Sequence, residues 1–421
     1  MGYRGIVILK QDKKINVGIG FVSGRKSFQK VLRTNIYNCR ESGLTSEKDI
    51  RLNLFTAYDL KYSQTKKADY TNINEKLLDL IDDTYFIGKT AIQKNIDDLV
   101  SKNIVTEKEA RYIFCSGYAG KRNSILYTAM KNNIDYLIFL DDDEYPMAVT
   151  NTRSSAIWGG QHVLETHLRN IDHADITNGY HCGYVSPIPY IEFNGIIKEE
   201  DFRIFIECIS NDIVNWETIR SVIDNGGVTY ADTKILTSDN AEEVREENHS
   251  KFISGSNLCI NLTQPDRVRP FYNPPNARGE DTFLSTCLSR HKVLRVPCYT
   301  FHDGFSTYHH LMDGVLPIRL KYIKADSDII CRRFYQACIG WIRYKPLLLY
   351  ITDKENYCER IEDMKKGLTA VLPKVCEYFS CYDFNNITKE LDRYDRNVKI
   401  HHRQFVETQQ AWRKIFDQLT F

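Results

Sequence analysis

Apolar runs and helical stretches alternate through the first 140 residues. Ile15 to Val22 (INVGIGFV) reads as a strand, with a Ser23-Gly24 turn and then a helix through Val31 and Leu32. Leu52 to Tyr58 predicts a second strand, Leu77 to Ile104 a helix interrupted at Asp82-Asp83, and Tyr112 to Cys115 a short strand. Between Lys121 and Asn132, the residues Ile125, Leu126, Ala129 and Met130 share one helical face. Tyr136 to Leu140 (YLIFL) is unbroken apolar sequence between polar flanks, which suits a strand covered on both sides. This alternation predicts an α/β fold built on a parallel, doubly wound, Rossmann-like sheet.

The middle of the chain is less regular. Ala174 to Thr177 and Gly183 to Val185 read as strands around Asn178-Gly179, Trp216 to Ile223 as a helix, and Asn225-Gly226-Gly227 as a turn. Ser238 to Ser250 is polar and acidic, a surface loop or a solvated helix. Val293 to Phe301 predicts another strand. Beyond Gly314, Ile330, Phe334, Ala337, Cys338 and Trp341 recur at helical spacing, and Lys345 to Phe421 is mostly amphipathic helix. We therefore expect two regions, 1–315 and a C-terminal helical region 316–421.

Composition narrows the function classes. The 421 residues carry 56 Lys plus Arg against 55 Asp plus Glu, so no basic excess exists to condense on nucleic acid. No stretch approaches the ~20 apolar residues of a membrane helix. The N-terminal segment breaks its apolar runs with charge, unlike a secretory signal. Met1-Gly2 suggests myristoylation, but Ile6 stands where Ser or Thr is wanted. The 12 scattered cysteines, with no C-x-x-C pair, fit reduced thiols in a cytoplasmic protein.

Four acids, Asp141, Asp142, Asp143 and Glu144, follow YLIFL directly. Such a cluster at the end of a buried strand is costly unless a cation sits there. The carboxyl ends of strands form the ligand crevice of an open α/β sheet, and hard carboxylate oxygens suit Mg²⁺ or Mn²⁺. Asp141 and Asp143, two apart, would face one side of an extended segment. The other reading is an acid-lined helix N-terminus, with Pro146 in its first turn.

Gly120-Lys-Arg-Asn123, a helix, and then YLIFLDDDEYP resembles the nucleotide-sugar half of GT-A glycosyltransferases, nearest to the inverting family-two enzymes. Ser254-Gly-Ser-Asn257 before Leu-Cys-Ile resembles their sugar-seating loop, and Glu280-Asp281 their E-D motif at a helix start. The resemblance spans residues 15 to about 305. It implies a GT-A-like, mixed but mostly parallel sheet and a nucleoside diphosphate sugar as donor, UDP favoured over GDP. It also implies a glycan or glycolipid acceptor. Asp141, Asp143 and His302 would hold Mn²⁺ or Mg²⁺. Ser23, Asp59, Arg122, Asn123, Asp141, Asp142, Ser256 and Asn257 would contact or frame the donor. Asp281 would take the acceptor proton, with Glu280 binding acceptor hydroxyls or orienting the loop. Tyr308, His309 and His310 are candidates for the acceptor pocket. The C-terminal helices would cover one side of the catalytic domain, pair two copies, or dock on the inner membrane face through Trp341, Arg343 and Lys345.

Rival motifs fail. Gly18-x-Gly20-x-x-x-Gly24 has one residue too many for a dinucleotide turn, and its glycines fall inside a strand. Gly117-Tyr-Ala-Gly120-Lys121-Arg122 lacks both the gap and the hydroxyl of a P-loop. No G-x-S-x-G elbow occurs. Two alternatives stay open: a sugar-phosphate nucleotidyltransferase, which Gly24-Arg25-Lys26 partly echoes, and an inactive glycan-binding scaffold of the same fold.

Overall fold

The structure, a computed structural model, describes residues 14–43, 50–152, 154–210, 216–305 and 315–418. Met1-Gly2, Ile6, the Tyr308–His310 candidates and Gly314 lie outside them. The first half runs β1 (Ile15–Ser23), α1 (Phe28–Glu41), β2 (Ile50–Tyr58), the short α2 (Ala68–Thr71) and α3 (Glu75–Leu78), β3 (Asp83–Ile87), α4 (Lys89–Ser101), α5 (Glu107–Ile113), α6 (Tyr118–Lys131) and β4 (Tyr136–Asp141). Then come β5 (Glu144–Tyr145), the hairpin of β6 (Met147–Asn151) and β7 (Ala156–Gly160), α7 (Val163–Ile171) and β8 (Ile176–Gly183). They are followed by α8 (Glu199–Ile209), α9 (Trp216–Asp224), α10 (Thr233–Leu236), β9 (Glu242–Glu243), β10 (Leu258–Asn261), α11 (Glu280–Ser285) and β11 (Val293–His302). Four helices close the chain: α12 (Asp328–Thr352), α13 (Tyr357–Tyr378), α14 (Asn386–Arg396) and α15 (Val398–Asp417).

The main sheet has the order β3-β2-β1-β4-β10-β8-β11-β5, with β9 on β11. β1, β2, β3 and β4 run parallel, as do β8 and β11, while β10 is antiparallel to both its neighbours. The mixed, mostly parallel sheet is thus present. From β1 the chain winds outward to β2 and β3, then returns to lay β4 on the other flank. That reversal leaves a crevice at the carboxyl ends of β1 and β4, where ligands of open α/β sheets bind. The register pairs Val22 with Asp141, so the acids after β4 emerge level with the end of β1.

Alternation along each strand feeds two layers. Val17, Ile19 and Phe21 of β1 and Ile138 and Leu140 of β4 pack with Val31, Leu32 and Ile36 of α1. Leu137 and Phe139 turn the other way, onto Ile125, Leu126 and Ala129 of α6. YLIFL therefore needs no polar position. Burying one such side chain contributes about 1.5–3 kcal/mol.

The C-terminal helices do not form a core of their own. Phe334, Leu368 and Phe384 pack with Phe202, Phe205 and Ile219 of α8 and α9 and with Phe283 of α11. Ala411, Trp412 and Ile415 of α15 join the α6 layer, where Trp412 Nε1 donates to the Val268 carbonyl at 3.2 Å. The expected division near 315 separates no two cores. No described helix is long and apolar enough to cross a membrane.

Four expected elements change. The helix read over 77–104 contains β3, a half-exposed strand beside β2. Residues 112–115 end helix α5 rather than forming a strand; its start is fixed by a capping box in which Thr106 and Glu109 satisfy each other's backbone amides. The two strands around Asn178-Gly179 are one strand, β8. Gly179 makes no turn: a Cβ there would lie 2.1 Å from the Asn257 amide nitrogen, so glycine admits the neighbouring strand's side chain. Within 238–250, β9 pairs with β11.

Candidate functional site

The crevice is a cavity of about 460 Å³, within the range of small-molecule sites. Asp141, Asp142, Asp143, Glu280, Asp281 and His302 all reach it.

Each acid after β4 has a different partner. Arg122, buried on α6, places Nη2 3.1 Å from Asp141 Oδ1 and Nε 3.4 Å from Glu280 Oε1, and Nη1 donates to the Gly255 carbonyl. The guanidinium lies over the Phe139 and Phe271 rings. One cation thus joins the β4 end, the 254–257 loop and the start of α11. Asp142 turns toward β1, accepting from Ser23 Oγ at 2.6 Å and facing Arg25 Nε at 3.3 Å. Asp143 Oδ2 meets Arg25 Nη1 at 2.8 Å, and its Oδ1 lies 3.4 Å from His302 Nε2. Glu144 points beneath the cavity floor. It accepts from Ser256 Oγ and from Thr300 Oγ1, and faces His181 Nδ1 at 3.1 Å. Ser256 Oγ in turn accepts the Asp141 N–H at 3.0 Å, so the network fixes the backbone at the end of β4.

These environments push the acids apart. Burial raises Asp141 to about 7 against the pull of Arg122, and raises Asp142 to about 6 despite Arg25. Burial also disfavours charge on Asp143, but His302 and Arg25 outweigh it and hold that carboxyl well below its usual range. Burial likewise opposes charge on His302, yet Asp143 beside it lifts the imidazolium to about 10. Glu280 is raised by burial and then by Asp281.

The acid pair at α11 follows Gly279, whose φ of +90° is open to glycine at little cost. Asp281 Oδ2 accepts from Gly255 N–H at 3.0 Å and Oδ1 from Thr282 N–H at 2.9 Å. Both oxygens are oriented by backbone, and each keeps a second lone pair for a ligand.

His302 Nδ1 hydrogen-bonds the Tyr184 carbonyl at 2.8 Å, which directs Nε2 at Asp143. This is the arrangement that holds a ligating histidine. An octahedral cation with ~2.1 Å bonds sets adjacent ligand atoms about 3.0 Å apart, so Asp143 and His302, 3.4 Å apart, would have to close by a few tenths of an ångström to share one. Asp141 has one oxygen engaged by Arg122. Among the described residues no group of three His, Cys, Asp or Glu side chains encloses a metal position. The pair present fits the open style of Mg²⁺ and Mn²⁺, which take one or two protein ligands and fill the remainder with water and phosphate oxygens.

Other expected residues sit apart. Asn123 is fully buried and braces Phe271 and Ile113 backbone through three hydrogen bonds. Asn257 is fully buried among His167, Tyr180 and Cys298. Neither faces the cavity; both shape the segments that do. Asp59 pairs with Lys121 at 3.0 Å outside the cavity wall, its side chain 41% exposed. Trp341, Arg343 and Lys345 share no exposed face. Trp341 lines the cavity, Arg343 pairs with Glu390 at 2.7 Å, and buried Lys345 donates to the Ser210 carbonyl.

Beyond Arg122, sequence reasoning missed most of the cations. Arg25, Arg278 and Arg333 line the cavity, and Arg278 and Arg333 have no carboxylate partner among the described residues. Arg333 lies 4.3 Å over the Phe305 ring. It comes from α12, which with Gln336, Trp341 and Tyr344 walls the site. The only sequence signal was Arg25 in the turn after the first strand.

No protein-family model matches the chain, and no curated protein does either.

Proposed function

We propose that the protein is a GT-A-like, metal-dependent glycosyltransferase. It moves a sugar from a nucleoside diphosphate sugar to a hydroxyl of a glycan, glycolipid or small acceptor. The observation that carries this reading is the meeting, in one crevice at the switch point of the sheet, of Asp143 and His302 with the backbone-oriented Asp281 and the cavity-lining Arg25, Arg278 and Arg333.

Asp143 and His302 would hold Mn²⁺ or Mg²⁺, with Asp141 beside them. The cation supplies, when bound, Lewis-acid neutralisation of the leaving diphosphate. Arg25, Arg278 and Arg333 offer guanidinium groups to the same diphosphate oxygens. Arg122 acts at one remove, holding Asp141, Glu280 and the 254–257 loop in register. The acceptor oxygen bonds to the anomeric carbon as the bond from that carbon to the phosphate oxygen breaks. Asp281 takes the acceptor proton, and the nucleoside diphosphate leaves with the bonding pair. A general base of this kind gives typically ~10²–10⁴-fold in rate.

A thermal melt of the chain with UDP and GDP, each with and without Mn²⁺, tests the reading. One nucleotide should raise the melting temperature only when Mn²⁺ is present, and Asp143→Ala should lose that response. No metal-dependent shift with either would refute it. Arg25 on Asp142 and Asp143, in the loop after β1, favours a nucleotidyltransferase as the second reading. Pyrophosphate release from nucleoside triphosphate plus sugar phosphate separates the two.

A further inference from the structure

A second cavity, of about 350 Å³, lies on the other side of the α11 start. It shares Phe252 and Thr282 with the crevice, so Asp281 faces one space while its neighbour Thr282 opens onto both. Its inner wall is Arg295 of β11, flanked by Tyr180 at 5.2 Å and Phe252 at 5.9 Å from guanidinium to ring centre.

Arg295 is the unusual group. Nη1 donates to Asn178 Oδ1 and to the Gly179 carbonyl at 3.0 Å, both neutral acceptors. The other guanidinium N–H groups have no hydrogen-bond or ion-pair partner among the described residues, and Arg295 lines the cavity. A largely enclosed cation between two rings, with no carboxylate in ion-pair contact although Glu242, Glu243 and Glu247 line the same cavity beside Arg245, is an expensive arrangement for stability alone. Its burial weakens the hold on its proton, in line with a charge that lacks a counter-ion. Glu242 stands opposite Arg295 in the β9–β11 register, but its carboxylate forms no ion pair there. Glu243 is 59% exposed and meets Lys251 at 3.4 Å instead.

Arg295 is also tied to the proposed chemistry. Asn178 Oδ1, which accepts from Arg295, accepts the Ser254 N–H at 2.9 Å as well, and the next amide, Gly255 N–H, holds Asp281. An occupant of this cavity therefore lies one loop from the proposed base. Aromatic faces beside free guanidinium donors suit a sugar ring carrying an anionic group.

We propose that this cavity is the acceptor subsite and that it selects a saccharide bearing a carboxylate or phosphate, anchored on Arg295 beside Tyr180 and Phe252. The proposal rests on the glycosyltransferase reading for the word acceptor; the anionic-sugar site itself does not. It is tested on the full chain in EDTA without nucleotide, by calorimetric titration of methyl glucuronide, glucose 6-phosphate and methyl glucoside. One or both anionic sugars should bind about tenfold or more tighter than the neutral glucoside. Preference for the glucuronide assigns a carboxylate, and preference for the phosphate assigns a phosphate. Affinity should fall with added salt. Arg295→Gln should erase the preference, and Glu242→Gln, which removes the acid opposite Arg295 in the strand register, should strengthen it. Arg295→Lys, which keeps the charge and loses the fork, should retain part of it and serves if the Gln variant does not fold. Equal binding of all three sugars, or a preference that survives in Arg295→Gln, overturns the proposal. A well-folded Arg295→Gln that loses its Mn²⁺-dependent nucleotide response along with the sugar preference also overturns it, because the residue would then only brace the loop. Failure of the nucleotide response in the wild type, with sugar discrimination intact, would sink the glycosyltransferase reading and leave the anionic-sugar site standing.

Discussion

Raising the pH should load divalent cation onto Asp143 and His302. In the cation-free protein Asp143 lifts His302 to about 10, against an ordinary value of ~6.5. A metal needs the neutral imidazole, so each bound ion must displace that proton. At pH 7 about one molecule in a thousand carries His302 neutral, by the three-unit gap. Mn²⁺ affinity should therefore rise about tenfold per pH unit between pH 7 and 9, with close to one proton released per ion. Asp141, raised to about 7, adds to the slope at the acid end if it joins the metal. The stability sign runs opposite. A raised imidazole contributes fully below its unfolded value of ~6.5, and the contribution is lost as pH climbs through about 10. Cation and proton thus stabilise the fold at opposite ends of that window. Calorimetric titration with Mn²⁺ in two buffers of different ionisation heat counts the protons. A flat affinity from pH 7 to 9, or a proton count unchanged in His302→Gln, would refute the reasoning.

Asp281→Asn should leave donor affinity unchanged while turnover falls ~10²–10⁴-fold, measured as kcat and KM separately. Collapse of donor affinity instead would make the residue a binding group. Gly120→Ala should destabilise by about 3 kcal/mol, read from urea denaturation, because a Cβ there would lie 1.9 Å from the Cys115 carbonyl oxygen. A melt like the wild type would mean that the turn before α6 yields readily.

The sheet's centre was legible because β1 and β4 are covered on both faces, which forces apolar residues at nearly every position. β3 was not, because Thr84, Tyr85 and Phe86 are only half-buried and the strand has a neighbour on one side alone. β8 was split by Asn178-Gly179, a pair that usually turns the chain. Here it serves packing: Asn178 holds the 254–257 loop and Gly179 makes room for Asn257. The acids of the site stood out because four in a row after an apolar strand have no core explanation. Arg278 and Arg333 did not, because an isolated Arg in a loop or helix looks the same whether it faces solvent or a ligand. Asn123 and Asn257 show the converse: both were expected to frame the donor, yet Asn123's amide is spent on backbone and Asn257's on backbone and the His167 ring.

Helix α12 lends the crevice Arg333, Gln336, Trp341 and Tyr344 while its other side is locked against α8 and α14. A fragment cut after residue 315 would keep every acid of the site and lose the roof above them. Changes confined to α12 would therefore reshape the crevice wall while leaving the acids after β4 and at the start of α11 untouched.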